Sequence, residues 1–519
     1  MNSVLKAMSQ GSSFTENGAI SNSTTNSSLL DYFSKVGTYT KRSEDEVTLD
    51  MLRIFGEDEP TALKLVFASR LITRKTNELG EKSECQSGFG RKSEFYSAVA
   101  WLHNNRPELL YRNLHLIPVF GSWKDFLTEP LIDVLDRNKV FQLFAENLDN
   151  QLLRKYLPQM RSAKQQRTER DKKRSTWAKN FANTIGLSER DYRKLKSQGT
   201  AHIFQRQMSA QQWDKIHFNG IPGRAMTKLI SQKGKDGKSV FERHNLVEKM
   251  TEWLLTQKNV KFNGYPYELT QAASCRKKPN LVQKIVYNKQ FENLLEKIGT
   301  TSLGNTLCAL DTSGSMTYEV VPGVSALNIC LSLGLVFSSL NVGHFKDHVV
   351  AFDNVSRLIR LKGNFVDKLH QIERMETAWG GTNFQSVIDL LVNTRMKNPE
   401  IPIEEYPETL LVVSDMQFNP AGMNTQTNYE VAMNKLQSVG LGKMRLIWWF
   451  VTGRCSDFPS QMDDKGVYII GGFDPIVLKS LLGLSQITKS NETLEEKIQQ
   501  TPMDGMMNIL NQPIFDLLA

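Results

Sequence analysis

The sequence predicts a multidomain chain, in which an all-α amino-terminal part precedes an α/β part built on a mainly parallel sheet. Two patterns predict this order. From residue 46 to about residue 300, apolar residues recur at spacings of three and four, as on the buried face of a helix. After residue 305, short apolar runs alternate with amphipathic stretches, the pattern of a doubly wound α/β fold. We therefore expect four segments: a disordered Ser/Asn/Thr-rich tail over 1–44, a helical domain over 45–300, an α/β domain over 301–485 and an extension over 486–519.

In the helical part, the apolar spacing predicts a series of helices separated by prolines, over 62–72, 94–104, 107–117, 134–148 and 249–256. Helices of similar length joined by short polar links are typical of a helical-repeat domain, although this sequence shows no fixed period. Residues 1–44 contain few large apolar side chains, which favours disorder there.

In the α/β part, we expect about six strands, over 306–310, 348–352, 357–361, 410–414, 445–451 and 467–470. Residues 320–344 carry no charge, so a membrane span has to be considered. Polar residues at 325, 328, 332 and 339 recur near helical spacing and give a stripe that a lipid-facing helix does not need. We therefore predict a buried helix over 325–340 and no membrane span.

Oxygen-bearing side chains follow two predicted buried strands and one glycine-rich loop, and they are Asp311, Ser313, Ser315, Thr382 and Asp415. Loops at the carboxyl ends of parallel strands are where open α/β sheets bind ligands. Hard oxygen donors suit Mg²⁺ or Mn²⁺ rather than a structural zinc. Taken alone, Asp311–Ser315 could also be an ordinary Asx or Ser turn. An aspartic protease is excluded, because its chemistry needs a second DTG-like motif and the chain has none.

Charge is divided unevenly along the chain. Residues 1–300 contain 48 Lys and Arg against 32 Asp and Glu, whereas residues 301–519 contain 16 against 23. A polyanionic partner is therefore expected for the first part. The densest basic run is 154–196, where Trp177, Phe181 and Tyr192 are interleaved as if to stack on bases. The candidate RNA-binding residues are Arg167, Arg170, Lys172, Lys173, Arg174, Trp177 and Lys179.

The alternative for this run is a solvated helix face, since four acidic residues partly neutralise it. A smaller basic candidate is 276–278. The five cysteines are scattered and form no CxxC pair, and residues 1–14 contain no apolar leader, which together favour a reduced, cytoplasmic setting. No P-loop, GxSxG or HExxH motif occurs, so we expect no enzymatic activity.

The set Asp311, Ser313, Ser315, Thr382 and Asp415 resembles the metal-ion-dependent adhesion site of von Willebrand factor A domains. The motifs of the amino-terminal part, at 88–96 (GFGRKSEFY) and 116–127 (LIPVFGSWKDFL), resemble the TROVE module. Two further motifs, at 186–195 (GLSERDYRKL) and 212–216 (QWDKI), resemble an uncharacterised family of plants, phages and giant viruses that joins a TROVE-like half to a von Willebrand A domain. The Ro ribonucleoprotein has the same two-part architecture.

This resemblance implies a helical TROVE-like domain that binds small structured or single-stranded RNA. It also implies a Rossmann-like von Willebrand A domain whose five residues hold Mg²⁺ or Mn²⁺. The chain departs from the family in 79–94, which has single glycines in place of an arginine- and glycine-dense turn. We expect a non-enzymatic ribonucleoprotein component whose metal captures an acidic residue of a partner. The alternative is an assembly adaptor that binds acidic protein surfaces through the metal without RNA.

Overall fold

The structure is a computed structural model, and it describes residues 12–40, 42–72, 74–75, 85–199, 203–299, 305–375, 380–422, 426–454, 457–482 and 499–519. It combines a helical amino-terminal part with an α/β part that contains a six-stranded mixed sheet. The predicted order of these two parts is therefore confirmed. The positions of the predicted boundaries near residues 300 and 485 fall outside the described residues.

Residues 12–40 are folded, so the prediction of a disordered tail over 1–44 is wrong for the described residues of this segment. Strands β1 (Ser12–Phe14) and β2 (Ile20–Asn22) form an antiparallel hairpin, and helix α1 (Ser28–Val36) follows. Leu30, Phe33 and Val36 of α1 are fully buried. The prediction used the average apolar content of the segment, which is low although α1 has a strongly apolar face. Burial of that face offsets the conformational entropy lost when the chain is ordered.

The helical part begins with α2 (Glu44–Glu57) and α3 (Glu59–Arg70), each started by a capping side chain, from Ser43 and Asp58 respectively. A two-residue antiparallel pair, β3 (Arg74–Lys75) and β4 (Cys85–Gln86), comes next. The remaining helices of this part are α4 (Lys92–Asn105), α5 (Pro107–Arg112), α6 (Ile117–Phe120), α7 (Leu131–Val134), α8 (Arg137–Glu146), α9 (Gln151–Tyr156), α10 (Glu169–Thr184), α11 (Glu189–Ser197), α12 (Ile203–Ser209), α13 (Gly223–Ser231), α14 (Val240–Arg243), α15 (Val247–Thr256), α16 (Pro266–Ala273) and α17 (Leu281–Ile298).

The α/β part contains the predicted strands and helices in the predicted order. Its elements are β5 (Thr306–Asp311), β6 (Glu319–Val321), β7 (Val324–Ser325), α18 (Ala326–Leu340), β8 (His348–Phe352), β9 (Ser356–Arg360), α19 (Phe365–Glu373), α20 (Gln385–Lys397), β10 (Thr409–Ser414), α21 (Asn428–Ser438), β11 (Arg445–Phe450), β12 (Val467–Gly471), α22 (Val477–Leu481) and α23 (Pro502–Leu510). The sheet order is β12-β11-β10-β5-β8-β9, and β9 alone runs antiparallel to its neighbour.

Strands β5, β10 and β11 are buried along their whole length, as near-continuous apolar runs in a covered sheet should be. Helix α18 supplies most of the uncharged run that raised the question of a membrane span, and it packs against β5 and β10 of the sheet. Among the described residues, no helix is both long enough and apolar enough to cross a membrane.

The two parts of the chain pack against each other at several places. Helix α16 lies against α18, and α17 lies against α19. Helix α1 packs between helices of the amino-terminal part and strand β12, and α23 also contacts α1 and α3. One continuous cluster of buried apolar side chains therefore extends through both parts. The extension after residue 486 contributes to this shared core through α23.

Candidate metal centre and basic groove

The candidate metal centre lies at the topological switch point of the sheet, where the order in which strands are added reverses. From β5 the chain continues through β8 and β9 on one side, and then returns to β10, β11 and β12 on the other side. Parallel strands β5 and β10 are neighbours at this switch point, where doubly wound sheets bind their ligands. Asp311 is the last residue of β5, and Asp415 directly follows β10. The topology thus brings the two predicted carboxylates to the same edge.

Hydrogen bonds tie the predicted serines to these aspartates. The Ser313 amide donates to Asp311 Oδ1 at 2.9 Å, and the hydroxyl oxygens of Ser313 and Ser315 are 3.1 Å apart. The Ser315 hydroxyl also interacts with the Asp415 carboxylate. Ser414, which the sequence analysis missed, donates its hydroxyl to Asp311 Oδ2 at 2.5 Å. Its position as the last residue of the strand before Asp415 was the available signal.

Thr382 is held against the same edge by its glycine-rich loop. The Thr382 amide donates to Asn419 Oδ1 at 3.0 Å, and the Asn419 amide donates back to the Thr382 carbonyl at 2.8 Å. Gly380 accepts a hydrogen bond from the Gly314 amide at 3.3 Å, which joins this loop to the loop after β5. A Cβ atom on Gly380 would overlap the side chain of Asn354, which would have to move.

The electrostatics of this edge favour a cation. Burial raises the pKa of Asp311, and the neighbouring Asp415 carboxylate raises it further. Burial also raises the pKa of Asp415, against a hydrogen bond from Ser315. Within the described residues, neither carboxylate forms an ion pair with a lysine or arginine. Two buried carboxylates that repel each other would be stabilised by a divalent ion between them.

The donor set fits Mg²⁺ or Mn²⁺, because it consists of two carboxylates and three hydroxyls, all hard oxygen donors. In the described part of the chain, no three acidic, histidine or cysteine side chains converge as a metal cluster. The candidate centre therefore depends on its hydroxyl groups, and it carries fewer negative charges than a site made of carboxylates alone.

The tip of the β1–β2 hairpin lies directly on this centre, which the sequence analysis did not foresee. Asn17 Nδ2 is 2.5 Å from the Gln417 carbonyl oxygen and 3.4 Å from Thr382 Oγ1. The Glu16 amide donates to Gln417 Oε1 at 2.6 Å, and the Thr15 hydroxyl donates to the Phe418 carbonyl at 2.7 Å. No sequence pattern links residues about 400 positions apart, so only the folded chain shows this contact.

A second candidate site is a strongly basic groove in the helical part. It consists of two adjoining depressions that share Lys155, Arg161 and Lys196, and the larger has a volume of about 1130 Å³. Among the described residues that line it, Asp171 is the one carboxylate, and it pairs with Arg161. The basic side chains along the groove are Lys124, Lys155, Arg161, Lys164, Arg167, Arg170, Arg174, Arg193, Lys196 and Arg206.

Among the described residues, most of these cations have no acidic partner. In the described part of the chain, only Arg161 and Arg193 among them form an ion pair. Burial lowers the pKa of Arg174, and the charges of Arg170 and Arg161 lower it further. The pKa of Lys196 is also lowered by burial and then by Arg174. These like charges are crowded together, so a bound polyanion would relieve their repulsion.

The structure brings only three of the predicted basic residues into this groove, namely Arg167, Arg170 and Arg174. Lys172 pairs with Glu169 at 3.2 Å, and Lys173 pairs with Asp133 at 3.0 Å. Lys172, Lys173 and Lys179 are exposed on other faces of α10. For these lysines, the alternative of a solvated helix face describes the structure better. Residues 276–278 form a separate exposed turn.

The prediction that aromatic side chains of this run stack on bases is wrong for the folded protein. Trp177 is 4% exposed and packs edge-on against Phe141 at 4.9 Å between ring centroids. Phe181 and Tyr192 are fully buried, and the Tyr192 hydroxyl donates to the Pro158 carbonyl at 2.9 Å. These aromatic residues form the core beneath the groove. The prediction failed because the spacing of aromatic residues does not show whether their face of the helix points inward or outward.

Comparisons with known proteins agree with the division of the chain. Residues 305–511 match the family model described as a domain of unknown function (DUF7788), and residues 15–206 match another such model (DUF2828). An uncharacterized protein of Acanthamoeba polyphaga mimivirus is 24% identical over 533 aligned residues, which cover 91% of this chain and 85% of that protein. A crystal structure of the Deinococcus radiodurans RO (RSR) protein aligns over 87% of this chain and 96% of that chain, at 13% identity and a TM-score of 0.33. At this TM-score, the likeness assigns neither fold nor function.

Proposed function

We propose that the protein is a non-enzymatic, cytoplasmic RNA-binding component of a ribonucleoprotein. The observation that carries this proposal is the basic groove, in which ten Lys and Arg side chains face one carboxylate. Cations that lack acidic partners neutralise phosphates and release their counterions, which supplies most of the affinity for nucleic acid. The helical part would then serve as a TROVE-like RNA-binding module.

The groove favours recognition through the RNA backbone rather than through stacked bases. Its nearby aromatic residues, Trp177 and Tyr192, are buried, whereas Arg167 and Arg170 are exposed. Contacts of this kind position a nucleic acid without reading its sequence. We therefore propose that shape and charge select the RNA.

Two charge-reversal pairs on the full-length protein test this function. Arg167→Glu with Arg170→Glu alters the groove, whereas Lys172→Glu with Lys173→Glu changes the net charge equally at exposed positions of α10 outside the groove. In filter binding over a range of salt concentrations, the groove pair should weaken RNA binding and reduce the log–log salt slope by about 1.4, since each single-strand phosphate contributes about 0.7. The control pair should change the RNA affinity and the salt slope much less.

Equal weakening by both pairs would contradict a groove-specific site. If the wild-type protein shows no salt-sensitive RNA binding, the ribonucleoprotein proposal fails. The adaptor alternative, in which the metal binds acidic protein surfaces without RNA, would then take its place.

A second function is favoured by the candidate metal centre at the strand switch point. We propose that the α/β part is a von Willebrand A-like domain in which Asp311, Ser313, Ser315, Thr382 and Asp415 hold Mg²⁺ or Mn²⁺. With three neutral ligands, the ion would keep enough charge to accept an acidic oxygen from a partner. The supporting observation is that the two aspartates end neighbouring parallel strands and have no described cationic partner.

Metal-dependent melting of the full-length protein tests this second function. Mg²⁺ or Mn²⁺ at a hundredfold excess over Kd should stabilise the fold by about 2.7 kcal/mol. Asp311→Asn should abolish this stabilisation and the rise in melting temperature that reports it. Asp516→Asn, at an exposed site elsewhere, should retain both. If the metal still raised the melting temperature of Asp311→Asn, the ion would bind at another site.

A further inference from the structure

The tip of the β1–β2 hairpin is a tight turn that presents two polar side chains. The Gly18 amide donates to the Thr15 carbonyl at 2.8 Å, which closes a four-residue turn over 15–18. Gly18 has a φ of +83°, a conformation that glycine adopts without strain. Glu16 and Asn17 occupy the two central positions, so their side chains project from the turn.

Both neighbours of Glu16 are fixed against the loop after β10. Thr15 donates to the Phe418 carbonyl, and Asn17 contacts both Gln417 and Thr382. Farther along the hairpin, Ser13 Oγ donates to Asp457 Oδ1 at 2.7 Å, and Asn22 exchanges two backbone hydrogen bonds with Phe458. The backbone of Glu16 is therefore held at the mouth of the candidate metal centre, whereas its side chain is exposed.

The charge of Glu16 acts on the metal centre. Burial is the main cause of the raised pKa of Asp415, and the negative charge of Glu16 adds a smaller contribution. Within the described residues the Glu16 carboxylate has no ion-pair partner, and it stands apart from the two aspartates rather than forming a three-carboxylate cluster with them. A divalent ion would balance the charge of the two aspartates, so Glu16 would no longer be repelled and its carboxylate could bind the ion directly.

We propose that Glu16 is the chain's own ligand for the partner-facing position of the metal. This inference rests on the proposed metal centre and extends it. The ion draws the Glu16 carboxylate inward from a backbone that is already in place, and the hairpin tip then covers the centre. A partner that offers an acidic side chain must displace Glu16 before it can bind the metal. The hairpin therefore lowers the apparent affinity of the metal centre for such a partner.

Two measurements on the full-length protein test this inference, with Mn²⁺ alone as the probe. Water-proton relaxation reports the affinity for Mn²⁺ and the number of water molecules bound to the ion. Hydrogen exchange reports the protection of residues 12–22. The variants are Glu16→Gln, which removes the charge at constant size, and Glu252→Gln, which removes an exposed carboxylate in the helical part. Asp311→Asn serves as the variant without a metal centre.

The expected result is that Mn²⁺ binds Glu16→Gln about tenfold more weakly than the wild type, since one anionic ligand is lost. The bound ion should also carry one more water molecule in Glu16→Gln. Mn²⁺ should slow exchange over 12–22 in the wild type and in Glu252→Gln, but not in Glu16→Gln.

Two other results have separate meanings. If Mn²⁺ binds Glu16→Gln and the wild type with the same affinity, hydration and exchange, the inference is overturned and the metal centre stands. If no binding depends on Asp311, the proposed metal centre and this inference both fail. Because Glu16 is exposed, the variant should fold like the wild type, which its melting curve without metal checks.

Discussion

At the residue scale, the sequence located the ligands of the candidate metal centre but not the residues that hold them. Asp311 and Asp415 were predictable because each ends a short apolar run, and the carboxyl ends of such strands meet in a parallel sheet. Ser414 was missed although it directly precedes Asp415, because the run of buried residues does not fix the direction of its side chain. The same difficulty misplaced Trp177, which lies in a basic stretch of the sequence but packs against aromatic side chains in the fold.

Ser414 should act as a positioning residue for the metal centre. Its hydroxyl donates to Asp311 Oδ2 and accepts from the Met416 amide, so Ser414→Ala leaves the Asp311 carboxylate less well oriented. Loss of such a supporting contact typically lowers metal affinity by about 10- to 100-fold. Mn²⁺ titration of the folded variant measures the effect. Ser239→Ala, which removes a buried helix-capping hydroxyl in the helical part, should lower stability without changing Mn²⁺ affinity.

Trp177→Ala should destabilise the protein without affecting the RNA affinity of its folded fraction. The side chain fills a cluster with Phe141, Phe144 and Phe181, and truncating a buried aromatic residue costs about 3–5 kcal/mol. Chemical denaturation measures the stability, and filter binding below the unfolding midpoint measures the affinity. Weaker RNA binding with unchanged stability would show instead that Trp177 stacks on RNA.

At the element scale, long apolar strands were easier to predict than isolated short elements. The strands of the main sheet follow from runs such as β10 and β11, whose residues are all buried. The β1–β2 hairpin has three-residue strands that pair with each other and are otherwise held by residues 457–461, far along the chain. Helix α1 has a clear apolar face. The polar residues around it lowered the average apolar content of residues 1–44, from which disorder was predicted.

Phe33→Ala should therefore destabilise the whole protein rather than a detachable tail. Phe33 is fully buried and packs edge-on against Phe89 at 5.5 Å between ring centroids. Its truncation should cost about 3–5 kcal/mol in denaturant unfolding. Leu52→Ala, at a 57% exposed position of α2, should change stability by no more than about 0.5 kcal/mol. If Phe33→Ala had as little effect as the control, the segment would not be part of the core.

At the scale of the whole molecule, the two candidate sites lie in parts of opposite net charge that share one core. The basic groove lies wholly in the helical part, and the candidate metal centre lies in the α/β part. The composition predicted a polyanionic partner for the first part, but it did not show that the β1–β2 hairpin reaches the candidate metal centre. That contact depends on the shared core, in which α1 and α23 connect both parts.

Photochemical crosslinking of the full-length protein to RNA that contains 4-thiouridine tests the central claim most directly, because it reports where the RNA lies. After digestion, mass spectrometry identifies the crosslinked peptides. The account predicts crosslinks concentrated in residues 155–174 and 189–206, and their loss in the Arg167→Glu, Arg170→Glu variant but not in the Lys172→Glu, Lys173→Glu variant. Crosslinks confined to the α/β part, or spread evenly over the surface, would contradict RNA binding in the basic groove.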